Sequence, residues 1–296
     1  MESLIVQSRS RGFEIRKKLH SYSGLLKTEL PLAAGVCVIA GQVLALGRVP
    51  EIQKVVLGFL TGFLISGSEM VSNDYFDFEV DKINHPERPL PSGKALLREV
   101  AFLTILFSLG GLLCAGFLGS VSATLAILIW VVGILYNWKF KEAGLLGNIM
   151  VSFSVAMTFI FGGVSVGQAA SGVVWTFGAL AFLFDLSEEI AGGAMDLEGD
   201  RIRSVRSLAL IKGRSFALRV SVILLACFVT LSFVPYLFGW VGKTYVVLLT
   251  VTDLAVSYLA YKLLTSKTTA EARPRIRQLY LTLILFVIVF IVLRVF

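Results

Sequence analysis

Long apolar segments that carry almost no charge restrict the fold of this chain more than any other feature. Residues 99–137 form one such segment, which only a few polar residues interrupt. Of the 296 residues, 56% are hydrophobic and 16% are charged, whereas soluble domains are about 45–50% apolar and about 25% charged. A soluble globular enzyme, a disordered chain and a nucleic-acid-binding module are therefore excluded, and the lipid bilayer is the expected solvent.

Nine segments are long and apolar enough to cross this bilayer as helices, which takes about 20 residues each. The sequence therefore predicts an all-α membrane protein that forms a single membrane-embedded domain over residues 1–296. The predicted spans are residues 30–47, 55–73, 99–118, 121–137, 146–166, 173–191, 215–238, 241–262 and 277–296.

The distribution of basic residues predicts how these helices are oriented. If the N-terminus is cytoplasmic, the inside segments carry 23 Lys and Arg residues, whereas the outside loops carry only Arg48, Lys54 and Lys243. The positive-inside rule describes such an asymmetry. It accounts for the net charge of +7 without a nucleic-acid partner, and it predicts a multi-pass protein of the cell membrane with a cytoplasmic N-terminal segment over residues 1–28.

Acidic residues are concentrated in two short windows. Residues 69–81 and 185–200 together contain 11 of the 20 Asp and Glu residues, and each window lies at the predicted cytoplasmic end of an apolar span. Carboxylates near membrane depth are energetically costly and face a cavity or a partner. Because like charges repel unless a cation lies among them, the two windows predict a cation-binding functional site that opens to the cytoplasm.

The spacing within the windows indicates which cation is bound. Side chains three or four residues apart share one face of a helix, and both windows contain such sets. Their ligands would all be oxygen atoms, which suit Mg²⁺, above all when substrate phosphates complete its coordination. No His or Cys joins them, which argues against zinc or copper. The predicted metal ligands are Asn73, Asp74, Asp77, Asp81, Asp196 and Asp200.

Four other acids have less specific interpretations. Asp185, Glu188 and Glu189 lie on the sixth span, before the second motif. They are either residues of the same site or buried acids paired with a neighbouring helix. Asp253, on the eighth span, is expected to form a hydrogen bond to a neighbouring helix.

The two motifs repeat at a constant distance. The same 123 residues separate Asn73 from Asp196 and Asp77 from Asp200. This repeat predicts two four-helix units plus one further helix, nine transmembrane helices in all, around a central cavity to which each unit contributes one set of carboxylates. Basic residues follow both motifs, and Mg²⁺ with basic side chains around a cavity can hold and activate a diphosphate. The residues alone therefore predict a membrane enzyme that ionises a lipid-linked diphosphate.

The motifs resemble those of the UbiA superfamily of intramembrane prenyltransferases. Residues 73–81 match its NDxxDxxxD pattern, and RPLPSG at residues 88–93 is similar to its NRPxPSG stretch. Residues 196–200 match its DxxxD pattern, and YNWKFKEAGLLGN at residues 136–148 resembles the segment after its fourth helix. The resemblance implies nine helices around a cavity that opens to the cytoplasm and to lipid, two Mg²⁺ ions, a prenyl diphosphate donor of 10 to 20 carbons and a lipophilic acceptor.

The resemblance also assigns roles to single residues. An allylic cation formed by loss of the diphosphate would need a dry aromatic pocket, for which Tyr75, Phe76, Phe153, Phe159 and Phe161 are candidates. The implied catalytic residues are Asp77, Asp200, Lys139 and Tyr136. The implied substrate-binding residues are Asn73, Lys27, Arg88, Lys94, Asn148 and Arg201.

The acceptor is predicted from finer features of the motifs. The amino-acid sequences of the motifs resemble those of the archaeal digeranylgeranylglyceryl phosphate synthases, which implies geranylgeranylglyceryl phosphate as the acceptor. Those enzymes usually carry a Lys-Asp pair where this chain has Gly192-Gly193, so an aromatic or quinone-precursor acceptor remains an alternative. A cation transporter is an alternative of another class, although its acids would be expected at mid-span rather than beside Arg and Lys.

Overall fold

The computed structural model describes residue 25, residues 27–202 and residues 205–295. Most of the predicted cytoplasmic segment 1–28 and Arg203 lie outside these residues. The helices are α1 (Glu29–Leu46), α2 (Ile52–Phe76), α3 (Phe78–Asn84), α4 (Leu97–Phe117), α5 (Ser120–Leu135), α6 (Leu145–Ser165), α7 (Gly172–Gly193), α8 (Leu197–Ile202), α9 (Leu208–Lys212), α10 (Arg214–Leu231), α11 (Val234–Leu237), α12 (Lys243–Leu264) and α13 (Thr269–Val295), and a π-helical turn, Tyr136–Phe140, extends α5.

Within the described part of the chain, the long helices correspond to the predicted spans. Eight are long and apolar enough to cross a membrane, and the exception is α7. This helix has 22 residues but carries Asp185, Glu188 and Glu189, and acidic side chains are rare within membrane spans. The prediction of an all-α, multi-pass membrane protein is confirmed, whereas the count of nine spans and the arrangement in two four-helix units stay predictions.

The long helices form a closed ring. Each packs against the next long helix along the chain, and α13 returns to contact both α1 and α7. One apolar core lies among α7, α10, α12 and α13, and a second joins α1, α6 and α7 to α12 and α13. On the outside, a row of large apolar side chains along α4, namely Phe102, Ile105, Leu109 and Leu113, is exposed. In a protein of this class such a surface faces lipid.

The backbones of α1 and α6 approach each other closely where the two helices cross. A Cβ atom on Gly41 would lie 2.2 Å from the carbonyl oxygen of Phe159, and one on Gly162 would lie 2.3 Å from that of Val38. Small residues allow this approach between membrane helices. Gly41 lies 12 residues after Glu29, or about 18 Å along α1, so the crossing closes the bundle at the end opposite the acidic motifs.

The last helix begins before its predicted span, 277–296. It starts at Thr269, where the Thr268 hydroxyl accepts a hydrogen bond from the Glu271 N–H group at 3.2 Å and the Glu271 carboxylate accepts one from the Lys267 N–H group at 2.9 Å. This reciprocal arrangement resembles a capping box. Residues 269–276, which were predicted to belong to a basic loop, therefore form the first two turns of α13.

Asp253 has the structural role that the sequence predicts. Its carboxylate accepts a hydrogen bond from the Ser232 hydroxyl at 2.9 Å, and the Tyr245 hydroxyl donates to the Ser232 carbonyl oxygen at 2.8 Å. These bonds join α12 to the residue that follows α10. Asp253 is therefore a hydrogen-bonded contact between helices, remote from the acidic motifs.

We predict that replacing Gly162 with Ala destabilises the protein, because the new methyl group would collide with backbone that cannot rotate away. Overpacking of this kind costs about 1–3 kcal/mol. The matched control is Gly116→Ala on α4, where a Cβ meets no atom within 4 Å and where Ala favours the helix by about 0.8–1 kcal/mol. Thermal unfolding in detergent should show a lower midpoint for Gly162→Ala only. Equal midpoints for the two variants would contradict the tight crossing.

Candidate active site

A cavity of about 990 Å³ lies at the end of the bundle where α2 and α7 end. Among the described residues, eight acidic and four basic side chains line it. They are Glu29, Asp77, Glu142, Asp185, Glu188, Glu189, Asp196 and Asp200, with Lys27, Lys141, Arg273 and Arg277. The acidic groups outnumber the basic groups by four, and we refer to this space as the polar cavity. Such an excess of like charge is unfavourable without additional cations.

The two acidic motifs meet in this cavity. Asp77 from the first motif and Asp196 and Asp200 from the second all line it. Helical spacing is kept in both motifs, since the Asp81 N–H group donates to the Asp77 carbonyl oxygen and the Asp200 N–H group donates to that of Asp196, each at 2.8 Å. The expectation that both motifs face one compartment is therefore met.

The remaining members of the first motif are held outside the polar cavity. Asp74 is buried and pairs with Lys27 at 3.1 Å, and Asp81 is buried and pairs with Arg88 at 2.6 Å. Buried carboxylates require such partners. The Asn73 side-chain amide donates to Asn137 Oδ1 at 3.1 Å. One carboxylate oxygen of Asp81 is buried without a hydrogen-bond partner. Roles for Asn73, Asp74 and Asp81 as metal ligands stay predictions, since none of the three is among the residues that line the polar cavity.

The π-helical turn determines which lysine reaches the cavity. Lys141 lines it and forms an ion pair with the Asp77 carboxylate, whereas Lys139 is exposed and is not among the lining residues. The Lys141 N–H group donates to the Tyr136 carbonyl oxygen at 2.9 Å, which is a bond across five residues. A π-turn adds a residue to one helical turn and is frequent at functional sites. The structure therefore favours Lys141 over the predicted Lys139.

The other predicted substrate-binding residues divide into two groups. Tyr136, Lys27 and Asn148 line the polar cavity. Three basic residues do not: Arg88 pairs with Asp81, and Lys94 and Arg201 are exposed. Their substrate contacts stay predictions.

Two arginines of α13 are site residues that the sequence analysis missed. Arg273 pairs with Asp196 at 2.6 Å, and Arg277 makes two hydrogen bonds to the Glu29 carboxylate at 2.9 and 3.2 Å. A signal for them exists in the sequence. The pattern Thr-x-x-Glu at residues 268–271 is typical of a helix N-terminus, and a helix that starts there places Arg273, Arg277 and Tyr280 on one face.

A smaller and mainly apolar space of about 210 Å³ adjoins the polar cavity. The two share Leu30, Asp185, Glu188 and Tyr280 as lining residues, and we call the smaller space the apolar chamber. Asp185 accepts a hydrogen bond from the Ser152 hydroxyl at 2.8 Å. One carboxylate oxygen of Glu188 is buried without a hydrogen-bond partner. Both acids therefore belong to the site, and Asp185 also forms a contact with α6.

The predicted aromatic pocket is present only in part. Phe159 and Phe161 are buried and line the apolar chamber. Tyr75, Phe76 and Phe153 are exposed instead. They are large apolar groups on the outside of the bundle, where lipid rather than a reacting cation would contact them.

The donor set of the polar cavity fits Mg²⁺ that is shared with a substrate. Among the residues described, no three His, Cys, Asp or Glu side chains are grouped closely enough to hold a metal by themselves. Mg²⁺ does not require such a cage, because one or two carboxylates together with substrate phosphates and water suffice. Asp77, Asp196 and Asp200 offer only oxygen atoms and line a cavity large enough for a phosphate group.

The fold and the site define a multi-pass membrane protein with an internal acidic cavity beside an apolar chamber. The model of the UbiA prenyltransferase family matches residues 34–292, and the chain belongs to this family of enzymes. Digeranylgeranylglyceryl phosphate synthase from Thermococcus kodakarensis is 31% identical over 261 residues, which cover 88% of this chain and 93% of that protein.

Solved structures have the same fold. One, from work on "the biosynthesis of Digeranylgeranylglyceryl phosphate synthase in membranes", has a TM-score of 0.76 and 28% identity, and the match covers 92% of this chain and 98% of that chain. A UbiA homologue from Archaeoglobus fulgidus bound to GPP and Mg²⁺ has a TM-score of 0.65 and 18% identity, with 91% and 98% covered.

We predict that Lys141→Gln lowers the rate of prenyl transfer by about 10²-fold or more, the usual effect of removing one group that stabilises developing charge. Lys139→Gln is the matched control, because it removes the same charge two residues away from an exposed position. It should leave the rate within about twofold of the unmodified protein. Initial rates with radiolabelled prenyl diphosphate measure both effects. A larger loss in the Lys139 variant would contradict the geometry of the π-turn.

Proposed function

We propose that this protein transfers an isoprenyl group of 10 to 20 carbons from a prenyl diphosphate to geranylgeranylglyceryl phosphate, in a Mg²⁺-dependent reaction at the cytoplasmic side of the membrane. The proposal rests on the position of the two acidic motifs relative to the apolar chamber. Carboxylates of both motifs line one polar cavity, and this cavity adjoins an apolar chamber. The relative from Thermococcus kodakarensis is named as a synthase of digeranylgeranylglyceryl phosphate, which is the product expected from this acceptor and a donor of 20 carbons. Its name supports the choice of acceptor.

An amphiphilic donor fits the two spaces. Its diphosphate would lie in the polar cavity between Asp77 and Asp200, and its prenyl chain would extend into the apolar chamber past Phe159 and Phe161. The Archaeoglobus fulgidus homologue of the same fold was solved with GPP and Mg²⁺, which supports this arrangement. Two Mg²⁺ ions held by Asp77, Asp196 and Asp200 would offset the excess of four acidic groups in the cavity.

In the proposed reaction the bond between the prenyl carbon and the diphosphate oxygen breaks, and both electrons leave with the diphosphate. Bound Mg²⁺ would neutralise the charge that develops on this leaving group. Lys141 is placed beside Asp77 to hold the same phosphate, while Phe159 and Phe161 exclude water from the allylic cation. The acceptor hydroxyl oxygen then bonds to the prenyl carbon, and its proton passes to Asp185 or Glu188, which line both spaces.

Two alternatives differ in their support. The cation transporter loses its support because the chain belongs to an enzyme family. An aromatic acceptor keeps one specific observation in its favour. Gly192 and Gly193 line the polar cavity where the digeranylgeranylglyceryl phosphate synthases usually carry a Lys-Asp pair, so the charged groups of that pair are missing from this wall.

We predict that Asp77→Ala and Asp200→Ala each lower turnover by about 10²-fold or more, because each removes an oxygen ligand that positions charge in the transition state. Glu79→Ala is the matched control. Glu79 belongs to the same acidic window but is exposed and pairs with Lys82 at 2.8 Å. Diphosphate release from geranylgeranyl diphosphate and Mg²⁺ is the measurement, with the thermal unfolding midpoint as the check on folding. Retained turnover in either Asp variant would contradict a shared site.

The acceptor is tested with a panel of geranylgeranylglyceryl phosphate, 4-hydroxybenzoate and dihydroxynaphthoate, each with donors of 10 and 20 carbons. We expect transfer to the glycerol phosphate lipid at least about tenfold faster than to either aromatic compound, since a site built for one set of polar groups rejects a substrate that lacks them. Faster transfer to an aromatic compound would overturn the proposed acceptor and leave the reaction class intact.

A further inference from the structure

The first two turns of α13 present two guanidinium groups to the polar cavity. Arg273, Arg277 and Tyr280 line it, as expected for residues four and three apart on one helix face. These arginines are separate from the basic residues beside the first motif, where Lys27 and Lys141 pair with Asp74 and Asp77. The cavity therefore has two sets of cations on different structural elements, and the proposed donor site uses only the first.

Both arginines have partners that a phosphate is able to replace. Arg273 pairs with Asp196 and Arg277 with Glu29, and all four side chains are more than half exposed. Exposed ion pairs of this kind contribute little stability. A phosphate monoester carries more charge than a carboxylate, and its oxygens match the planar fork of a guanidinium. Exchange of either carboxylate for a phosphate is therefore favourable in charge and in geometry.

The cavity wall near the second motif leaves room for a headgroup. Gly192 and Gly193 line the polar cavity. A Cβ atom on Gly192 would meet nothing within 4 Å, and one on Gly193 would lie 3.9 Å from a carboxylate oxygen of Asp200. Open space thus lies at Gly192, whereas Gly193 faces Ser207 and Asp200, and both glycines line the same cavity as the two arginines.

The chemistry of a glycerol phosphate explains why cations are needed at this position. Its free hydroxyl is on a carbon close to the one that carries the phosphate ester. The phosphate of a bound acceptor is therefore only a few bonds away from the hydroxyl oxygen that attacks the prenyl carbon. It must lie next to the donor diphosphate. Two groups of negative charge that close together repel each other unless each has its own cations.

We propose that Arg273 and Arg277 bind the phosphate group of the acceptor lipid and so determine specificity for a phosphate-bearing acceptor. This inference rests on the proposed function, since it assumes a glycerol phosphate lipid as the acceptor. It adds the residues that recognise the headgroup and assigns them to α13 rather than to either acidic motif.

The test compares Arg273→Gln and Arg277→Gln with Arg275→Gln. Arg275 lies between them on α13 but pairs with Gln278 at 2.9 Å and is not among the cavity-lining residues. We expect the first two changes to raise the acceptor KM by about tenfold or more, the effect of losing a charge-assisted hydrogen bond. The donor KM should stay within about twofold, and Arg275→Gln should change neither constant.

Dephosphorylated acceptor, geranylgeranylglycerol, gives the second measurement. The unmodified protein and Arg275→Gln should prefer the phosphorylated lipid, whereas Arg273→Gln and Arg277→Gln should lose this preference. A raised donor KM with an unchanged acceptor KM would assign the arginines to the donor site and overturn the proposal. If the unmodified protein uses the phosphorylated lipid and all three variants behave alike, only this inference fails. If it uses only aromatic acceptors, the proposed function fails.

A charge-relocation variant separates recognition from a structural role. Because Gly192 faces open space, Gly192→Lys in the Arg273→Gln background returns a cation to the same cavity. We expect it to recover part of the lost acceptor affinity, and Gly192→Met, which has similar bulk and no charge, to recover none. Equal results for the two double variants would show that Arg273 contributes something other than charge and would overturn the proposal.

Discussion

Compensation of buried and partly buried carboxylates by cations outside their own helix is the constraint on which this site depends. A carboxylate placed at the end of a membrane helix without a partner is strongly unfavourable. Lys27 pairs with Asp74, Arg88 with Asp81, and Lys141 with Asp77. Asp74 and Asp81 are held behind the cavity wall by the first two pairs, of which only Lys27 itself lines the polar cavity. The third pair, Lys141 with Asp77, lies on the wall of the cavity that Asp196 and Asp200 also line.

The helices were largely predictable because the bilayer requires long apolar segments, and each predicted span overlaps a long helix. The start of α13 was not, since hydropathy detects only the part of a helix that lies in lipid. Residues 269–276 are helical for a local reason, the Thr268 and Glu271 bonds at the helix start. The three acids of α7 show a different situation, in which charged residues occur within a helix that was predicted to cross the membrane. They add three ionisable groups to the helix, and yet it lies within the same ring because these acids line the cavity.

The site was predictable only as far as helical spacing determines it. The interval of four residues correctly indicated that Asp196 and Asp200 share a face and that both motifs contribute to one cavity. It did not indicate that Asp74 and Asp81 are buried in ion pairs, because Lys27 lies 47 residues from Asp74 and Arg88 lies in the loop after α3, beyond the helical spacing. Lys139 was implied by the family resemblance rather than by spacing, and the structure places Lys141, at the end of the π-helical turn, on the cavity wall instead. Pairing between segments and a change of helical phase are not local properties of the sequence.

The boundary between the two spaces explains how a single site orients substrates of different length. A diphosphate is excluded from the apolar chamber by the loss of its hydration, and a prenyl chain is excluded from the charged cavity by the hydrophobic effect. The carbon that joins them must then lie at the boundary, whatever the length of the chain. Asp185, Glu188 and Tyr280 line both spaces at this boundary. Under the proposed function, the walls of the apolar chamber would therefore determine which chain length is accepted, and the polar groups at its entrance would determine reactivity, so that the two properties could change independently.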